Sequence, residues 1–246
     1  RKESSAASDV YKRQGTRGHG CGCRGLASPG CLAVPPLSTS IEIGCEGAGR
    51  AAPTTAPSRG TLDGGRCGRR AMSFIRGYDH ESLRERVDLD ECAARLEEID
   101  GQRSLPALLE RVWLLKVLDR LDEALPLADE AVRQARMAGT RKDVLRARVL
   151  HATILQYRGA HTAAAQELAT CAAEAEGQRW VSIAAFAHHH HGKNAYEAGD
   201  YETARESFKQ SLFLRREAGA QDGELETVLL AIEAAERRRT TQLVAG

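Results

Sequence analysis

Residues 192–204 read GKNAYEAGDYETA and carry the clearest structural signal in this chain. A helical stretch leads into the Gly-Asp-Tyr of residues 199–201, where glycine ends one helix and the acidic residue stabilises the start of the next. Small residues lie on both sides of the turn, Gly192 before it and Ala204 after it. Because small side chains let two helices approach closely, this segment predicts a tight pair of antiparallel helices.

The same arrangement recurs every 40 residues. The residues at the equivalent positions are Ala124, Ala164 and Ala204 after each turn, and Val112, Ala152 and Gly192 before it. A two-helix unit cannot bury its apolar face alone and must stack on neighbouring units. The sequence therefore predicts an all-α fold, an α-solenoid of tandem helix-turn-helix units wound into a right-handed superhelix.

The composition divides the chain into two parts. Residues 1–71 contain 13 of the 23 glycines, five of the seven prolines and five of the seven cysteines, without helical or strand periodicity. Residues 5–14 read SAASDVYKRQ, which resembles translated sequencing-adaptor read-through, and Met72 is the first methionine. We therefore predict a disordered or artefactual leader at 1–71, an N-terminal helical segment at 72–103 and the repeat region at 104–246.

The repeat region is predicted to hold three repeats and a terminal helix. The repeats cover residues 104–139, 144–178 and 181–220, and a capping helix covers 223–238. The first repeat departs from the pattern at Asp119, which stands where a turn glycine is expected, and the second has His161 in place of the turn aromatic.

Residues 192–204 resemble the tetratricopeptide repeat, with a small residue in the first helix, Gly-Asp-Tyr at the turn and alanine early in the second helix. Residues 211–219 resemble the longer-period variant found in bacterial regulatory and signalling proteins. The resemblance implies a protein-interaction scaffold that binds a partner peptide or helix along a concave face lined by the first helix of each repeat.

Aromatic and basic side chains alternate along these first helices, which favours an extended or helical peptide with acidic character. The resemblance places the peptide-binding residues at Trp113, Lys116, Arg146, Gln156, Tyr157, His189, Lys193 and Tyr196. Arg146 and Lys193 are expected to be exposed. Packing of Trp113 and Tyr157 on the adjoining helix is an equally good reading of these two aromatics.

Charge and motif content disfavour other classes of protein. Residues 1–71 carry 11 Lys and Arg against five Asp and Glu, whereas the remainder carries 24 against 29, so a nucleic-acid partner is not indicated. The absence of a long apolar run and of an export signal predicts a cytoplasmic protein without a membrane partner.

Catalytic motifs are lacking as well. The sequence has no nucleophile elbow, no His-Glu-x-x-His and no glycine-rich loop between strand and helix, and we predict neither enzymatic activity nor a cofactor. Cys92 and Cys171 lie on apolar helix faces and are interpreted as small hydrophobic residues.

Residues 188–191 are four consecutive histidines. Only His188 and His191 share a helix face, and His151 occupies the position equivalent to His191 one repeat earlier. We interpret these imidazoles as packing groups between helices. A three-histidine zinc site or a pH-sensitive seam is the alternative.

Two functions remain open from the sequence. The first is the non-catalytic scaffold described above, with a protein or peptide partner. The second is a sensory segment of a transcriptional regulator or signalling protein, in which such repeats bind a ligand or peptide and control an output domain.

Overall fold

The computed structural model of the chain describes residues 74–245, and the predicted leader at 1–71 lies outside the described residues. Two short strands precede eight helices in this range. The elements are β1 (Ile75–Tyr78), β2 (Glu85–Val87), α1 (Leu89–Glu98), α2 (Leu105–Val117), α3 (Leu121–Ala138), α4 (Arg141–Tyr157), α5 (His161–Gly177), α6 (Val181–Glu197), α7 (Tyr201–Glu217) and α8 (Asp222–Ala245).

The described part begins with a β-hairpin, so the predicted helical segment at 72–103 is corrected at residues 75–87 and is helical at α1. β1 and β2 pair antiparallel, with Tyr78 opposite Glu85, and helix α1 follows β2 directly. The backbone N–H of Ser82 donates to Oδ1 of Asp79 over 2.7 Å and thereby closes the turn. Strands of four and three residues are too short to show the alternating hydrophobicity that identifies a strand in a sequence.

Six of the helices form three pairs, α2 with α3, α4 with α5 and α6 with α7, each joined by a three-residue turn. The middle residue of each turn has a positive φ: 58° at Asp119, 77° at Gly159 and 82° at Gly199. Aspartate tolerates this left-handed conformation better than most residues do. The first pair therefore turns with the geometry of the other two although it lacks the glycine.

Each helix pair packs on the next pair along the chain, and the third pair packs on α8. Helices α2, α4, α6 and α8 also contact one another in that order. Ala124, Ala164 and Ala204 are fully buried at equivalent positions of the second helices. The predicted all-α class is confirmed for residues 89–245. Within residues 74–245, no helix combines the length and the apolar character needed to cross a membrane.

Helices α6 and α7 cross where Gly192 faces the ring of Phe208. A Cβ atom added at Gly192 would lie 2.6 Å from that ring, closer than carbon atoms can approach. Gly192→Ala is therefore expected to lower the free energy of unfolding by about 1–3 kcal/mol, measured by urea denaturation. Gly177→Ala is the matched control because an added Cβ there meets no atom within 4 Å. Equal losses in the two variants would contradict the close crossing.

Candidate functional site

The first helices of the three pairs present aromatic and basic side chains to one face, which we call the first-helix face. It consists of Trp113 and Lys116 on α2, Tyr157 on α4, and His189, Lys193 and Tyr196 on α6. All six were predicted as peptide-binding residues. The structure brings them together around the chain's own hairpin, residues 74–87.

Glu85 on β2 is the centre of this contact. Its carboxylate accepts a hydrogen bond from Lys193 Nζ over 3.1 Å and another from Tyr157 Oη over 3.0 Å. Lys116 Nζ lies 3.6 Å from the same carboxylate. The side chain of Glu85 is 9% exposed and those of both lysines are 2% exposed, so the cluster is withdrawn from solvent.

Burial sets the electrostatics of this cluster. It raises the pKa of Glu85, but the charges of Lys116 and Lys193 outweigh burial and hold that pKa well below its ordinary value. Burial lowers the pKa of Lys116, and the Glu85 carboxylate opposes this shift. Burial and the same carboxylate raise the pKa of Tyr157. The tyrosine therefore stays a hydrogen-bond donor, and Glu85 stays an anion between two cations.

Arg84 makes a second polar contact beside Glu85. Its Nε donates to Oε1 of Glu197 on α6 over 3.0 Å, and its guanidinium lies 4.3 Å from the centre of the Tyr157 ring. A planar guanidinium suits both the bidentate carboxylate contact and the aromatic face. Arg84 and Glu85 therefore engage α4 and α6 from adjacent positions of the hairpin.

Apolar anchors flank these charged residues. Leu83 is buried in a cluster with Ala195 and Tyr196, and Phe74 stacks on Trp113 with 6.4 Å between ring centres. Leu83 has a φ of 58°, a left-handed conformation that costs a leucine roughly 1–3 kcal/mol. The burial of its side chain maintains this conformation.

The remaining predicted residues occupy different environments. Arg146 is partly buried and pairs with Asp143 one turn earlier on α4, 3.6 Å away. Gln156 is buried, and its side-chain Nε2 and Oε1 find no hydrogen-bond partner within residues 74–245.

Lys193 was expected to be exposed, and this expectation is wrong because Glu85 and the rest of the hairpin cover it.

The four consecutive histidines divide between two environments. His188 contacts Glu176 on α5 over 2.8 Å, and Nδ1 of His191 lies 2.9 Å from Oγ of Ser207 on α7. His189 and His190 are the more buried pair. Across residues 74–245, no three metal-ligating His, Cys, Asp or Glu side chains come together as a metal site would require. The described geometry is that of imidazoles in helix contacts.

Stability is expected to fall in mildly acidic solution. Burial, followed by the charges of Arg215 and Lys193, holds the pKa of His189 and His190 well below the ordinary value of 6.5. Below that pH the unfolded chain binds protons that the folded chain excludes, so acid favours unfolding. The free energy of unfolding at pH 5.5 should be about 2–3 kcal/mol lower than at pH 7.5.

Denaturation at the two pH values tests this expectation. The double variant His189→Asn, His190→Asn should lose most of the difference, since asparagine does not titrate. His80→Asn, at an exposed position of the hairpin, is the control and should keep it. A pH difference that persists in the double variant would assign the acid sensitivity to other groups.

Helices α1 and α5 each carry one buried thiol, Cys92 and Cys171. Burial raises the pKa of Cys92 to about 11 and that of Cys171 to about 12. A thiol with a raised pKa is a poor nucleophile at neutral pH. Their environment therefore matches the interpretation of both residues as small hydrophobic groups.

Sequence reasoning missed Glu85 and Arg84. Both belong to the hairpin, which has no helical period, and their partners on α2, α4 and α6 are distant in sequence. The pair of consecutive opposite charges at positions 84–85 is the only local signal, and it is common on exposed surfaces.

Comparison with protein-family models, curated proteins and solved structures found no match for this chain.

Proposed function

We propose that this chain is a non-catalytic protein-interaction scaffold, a tetratricopeptide-type α-solenoid that binds a partner segment along its first-helix face. The 40-residue recurrence and the equivalent left-handed turns at Asp119, Gly159 and Gly199 support the repeat assignment. In such an array the first helices form a continuous surface that a peptide can follow.

One observation carries the proposal: the first-helix face holds an extended strand of the chain itself. Glu85 of β2 lies against three first helices at once, through Lys116, Tyr157 and Lys193. A surface that binds one extended segment through a glutamate has the donors to bind another. The proposed partner segment is therefore a peptide, and the polar residues of the face serve recognition.

Selection from a random peptide library tests this function. All proteins in this test carry Glu85→Ala, so that the chain's own glutamate does not occupy the face. Peptides that bind this parent chain should bind the chain that also carries Tyr157→Phe and Lys193→Met at least about tenfold more weakly, a loss of roughly 1.4 kcal/mol. Circular dichroism verifies that each protein remains helical.

Lys209→Met on α7 is the control for this selection, because Lys209 is 44% exposed and lies outside the first-helix face. In the Glu85→Ala background, the control should bind the selected peptides as the parent chain does. Equal affinities for all three proteins would place peptide binding elsewhere and contradict the proposal.

A further inference from the structure

We propose that the hairpin of residues 74–87 competes with the partner for the first-helix face. The partner is an extended segment that contains three consecutive residues of the hairpin's kind: an apolar residue, a basic residue and a glutamate. This inference rests on the proposed function and specifies its ligand and its regulation. A partner binds by taking the places of Leu83, Arg84 and Glu85, which the hairpin must first vacate.

Three consecutive residues of the hairpin each occupy a different site. Leu83 is buried with residues of α6, Arg84 pairs with Glu197, and Glu85 lies between two lysines. The left-handed conformation of Leu83 lets its side chain enter the cluster immediately before the two charged residues. Three neighbouring sites of this kind can recognise three adjacent side chains of a bound peptide. Recognition of adjacent side chains gives the binding of an extended segment its sequence specificity.

Charge makes the glutamate the discriminating residue. Without the hairpin the face carries Lys116 and Lys193, and both ammonium groups are nearly inaccessible to water when the face is covered. A covering segment that lacks a carboxylate would bury two like charges without a counter-charge. The face therefore selects against segments that lack a carboxylate at this position.

The hairpin has the size of an element that can detach. Its strands comprise four and three residues, and a two-stranded hairpin of this length is marginally stable by itself. The helix pairs pack on one another through separate contacts. Tethered to α1, the hairpin competes at an effective concentration on the order of millimolar, so a free peptide binds weakly until that contact is weakened.

A fluorescent synthetic peptide of residues 74–88 is the probe, and its anisotropy is measured with the full-length chain. The chain carrying Glu85→Ala should bind this peptide at least about tenfold more tightly than the wild-type chain does, because its own hairpin no longer competes. A peptide that carries Glu85→Gln should bind the same variant at least about tenfold more weakly than the unchanged peptide.

Circular dichroism verifies that the variant chain remains helical. If Glu85→Ala reduces helicity, the chain with Glu85→Gln replaces it, since glutamine keeps the size and removes only the charge. Equal binding of the peptide to wild-type and variant chains overturns the competition. A helical variant that does not bind the peptide overturns the assignment of the site.

Two further outcomes have defined meanings. A wild-type dimer that the peptide converts into monomers, seen by sedimentation, overturns the intramolecular contact and assigns the face to the hairpin of a second copy. A different result would contradict the proposed function while leaving the hairpin contact intact. The variant chain then binds its own 74–88 peptide, whereas unrelated peptides with an apolar, arginine, glutamate run do not bind.

Discussion

Phe208→Ala is expected to lower the free energy of unfolding by about 3–5 kcal/mol, because truncation of a fully buried aromatic side chain leaves a cavity in the core. Phe208 is fully buried on α7 and belongs to the cluster that joins α6, α8 and Leu83 of the hairpin. Its ring lies against Gly192 and 5.6 Å from the His189 ring. Urea denaturation followed by circular dichroism measures the loss.

Phe213→Ala is the matched control on the same helix. Phe213 is 56% exposed, so its truncation removes little buried surface and should change stability by no more than about 0.5 kcal/mol. A small loss at Phe208 together with a large loss at Phe213 would mean that α7 presents the opposite face to its neighbours.

Glu85→Ala is expected to cost about 3 kcal/mol of stability and to detach the hairpin. Removing one partner of a buried ion pair typically costs about 3–5 kcal/mol, since the remaining charge is left uncompensated. The loss cannot exceed the free energy of docking the hairpin, because detachment lets water reach Lys116 and Lys193. The fluorescence of Trp113, which stacks on Phe74, reports the detachment directly.

A second substitution separates charge from packing. Lys193→Met in the Glu85→Ala background removes the like-charge repulsion with Lys116, and the double variant should be more stable than Glu85→Ala alone. Glu81→Ala, at an exposed position of the same hairpin, should leave both stability and fluorescence unchanged. Additive losses of stability from Glu85→Ala and Lys193→Met would show that Glu85 and Lys193 do not interact in the folded chain.

The buried charges around Glu85 do not balance one another. Two lysines, one glutamate and the Arg84 to Glu197 pair leave one excess positive charge in the cluster. His189 and His190, beside these cations, stay neutral because burial and the neighbouring positive charges lower their pKa. Acid and loss of Glu85 therefore both destabilise the folded arrangement of the same region of α6.

The helix pairs were predictable because their determinants are local. The turn at residues 198–200 follows from adjacent residues, and the tight crossing follows from Gly192 and Ala204, which lie in consecutive helices. Helical periodicity repeats every three to four residues, so a stretch of about 17 residues shows it several times. Six residues of the first-helix face were named from the resemblance to the tetratricopeptide repeat, and the structure brings them together around the hairpin.

The occupant of that face was not predictable from local pattern. Glu85 lies 72 residues from Tyr157 and 108 from Lys193 in the chain, and no periodicity links such distant positions. The two strands of the hairpin are too short to be recognised from the sequence pattern. The hairpin is ordered by contacts with helices that must assemble first. Helix pairs follow from neighbouring residues, whereas the burial of Glu85 among lysines depends on three helices meeting in space.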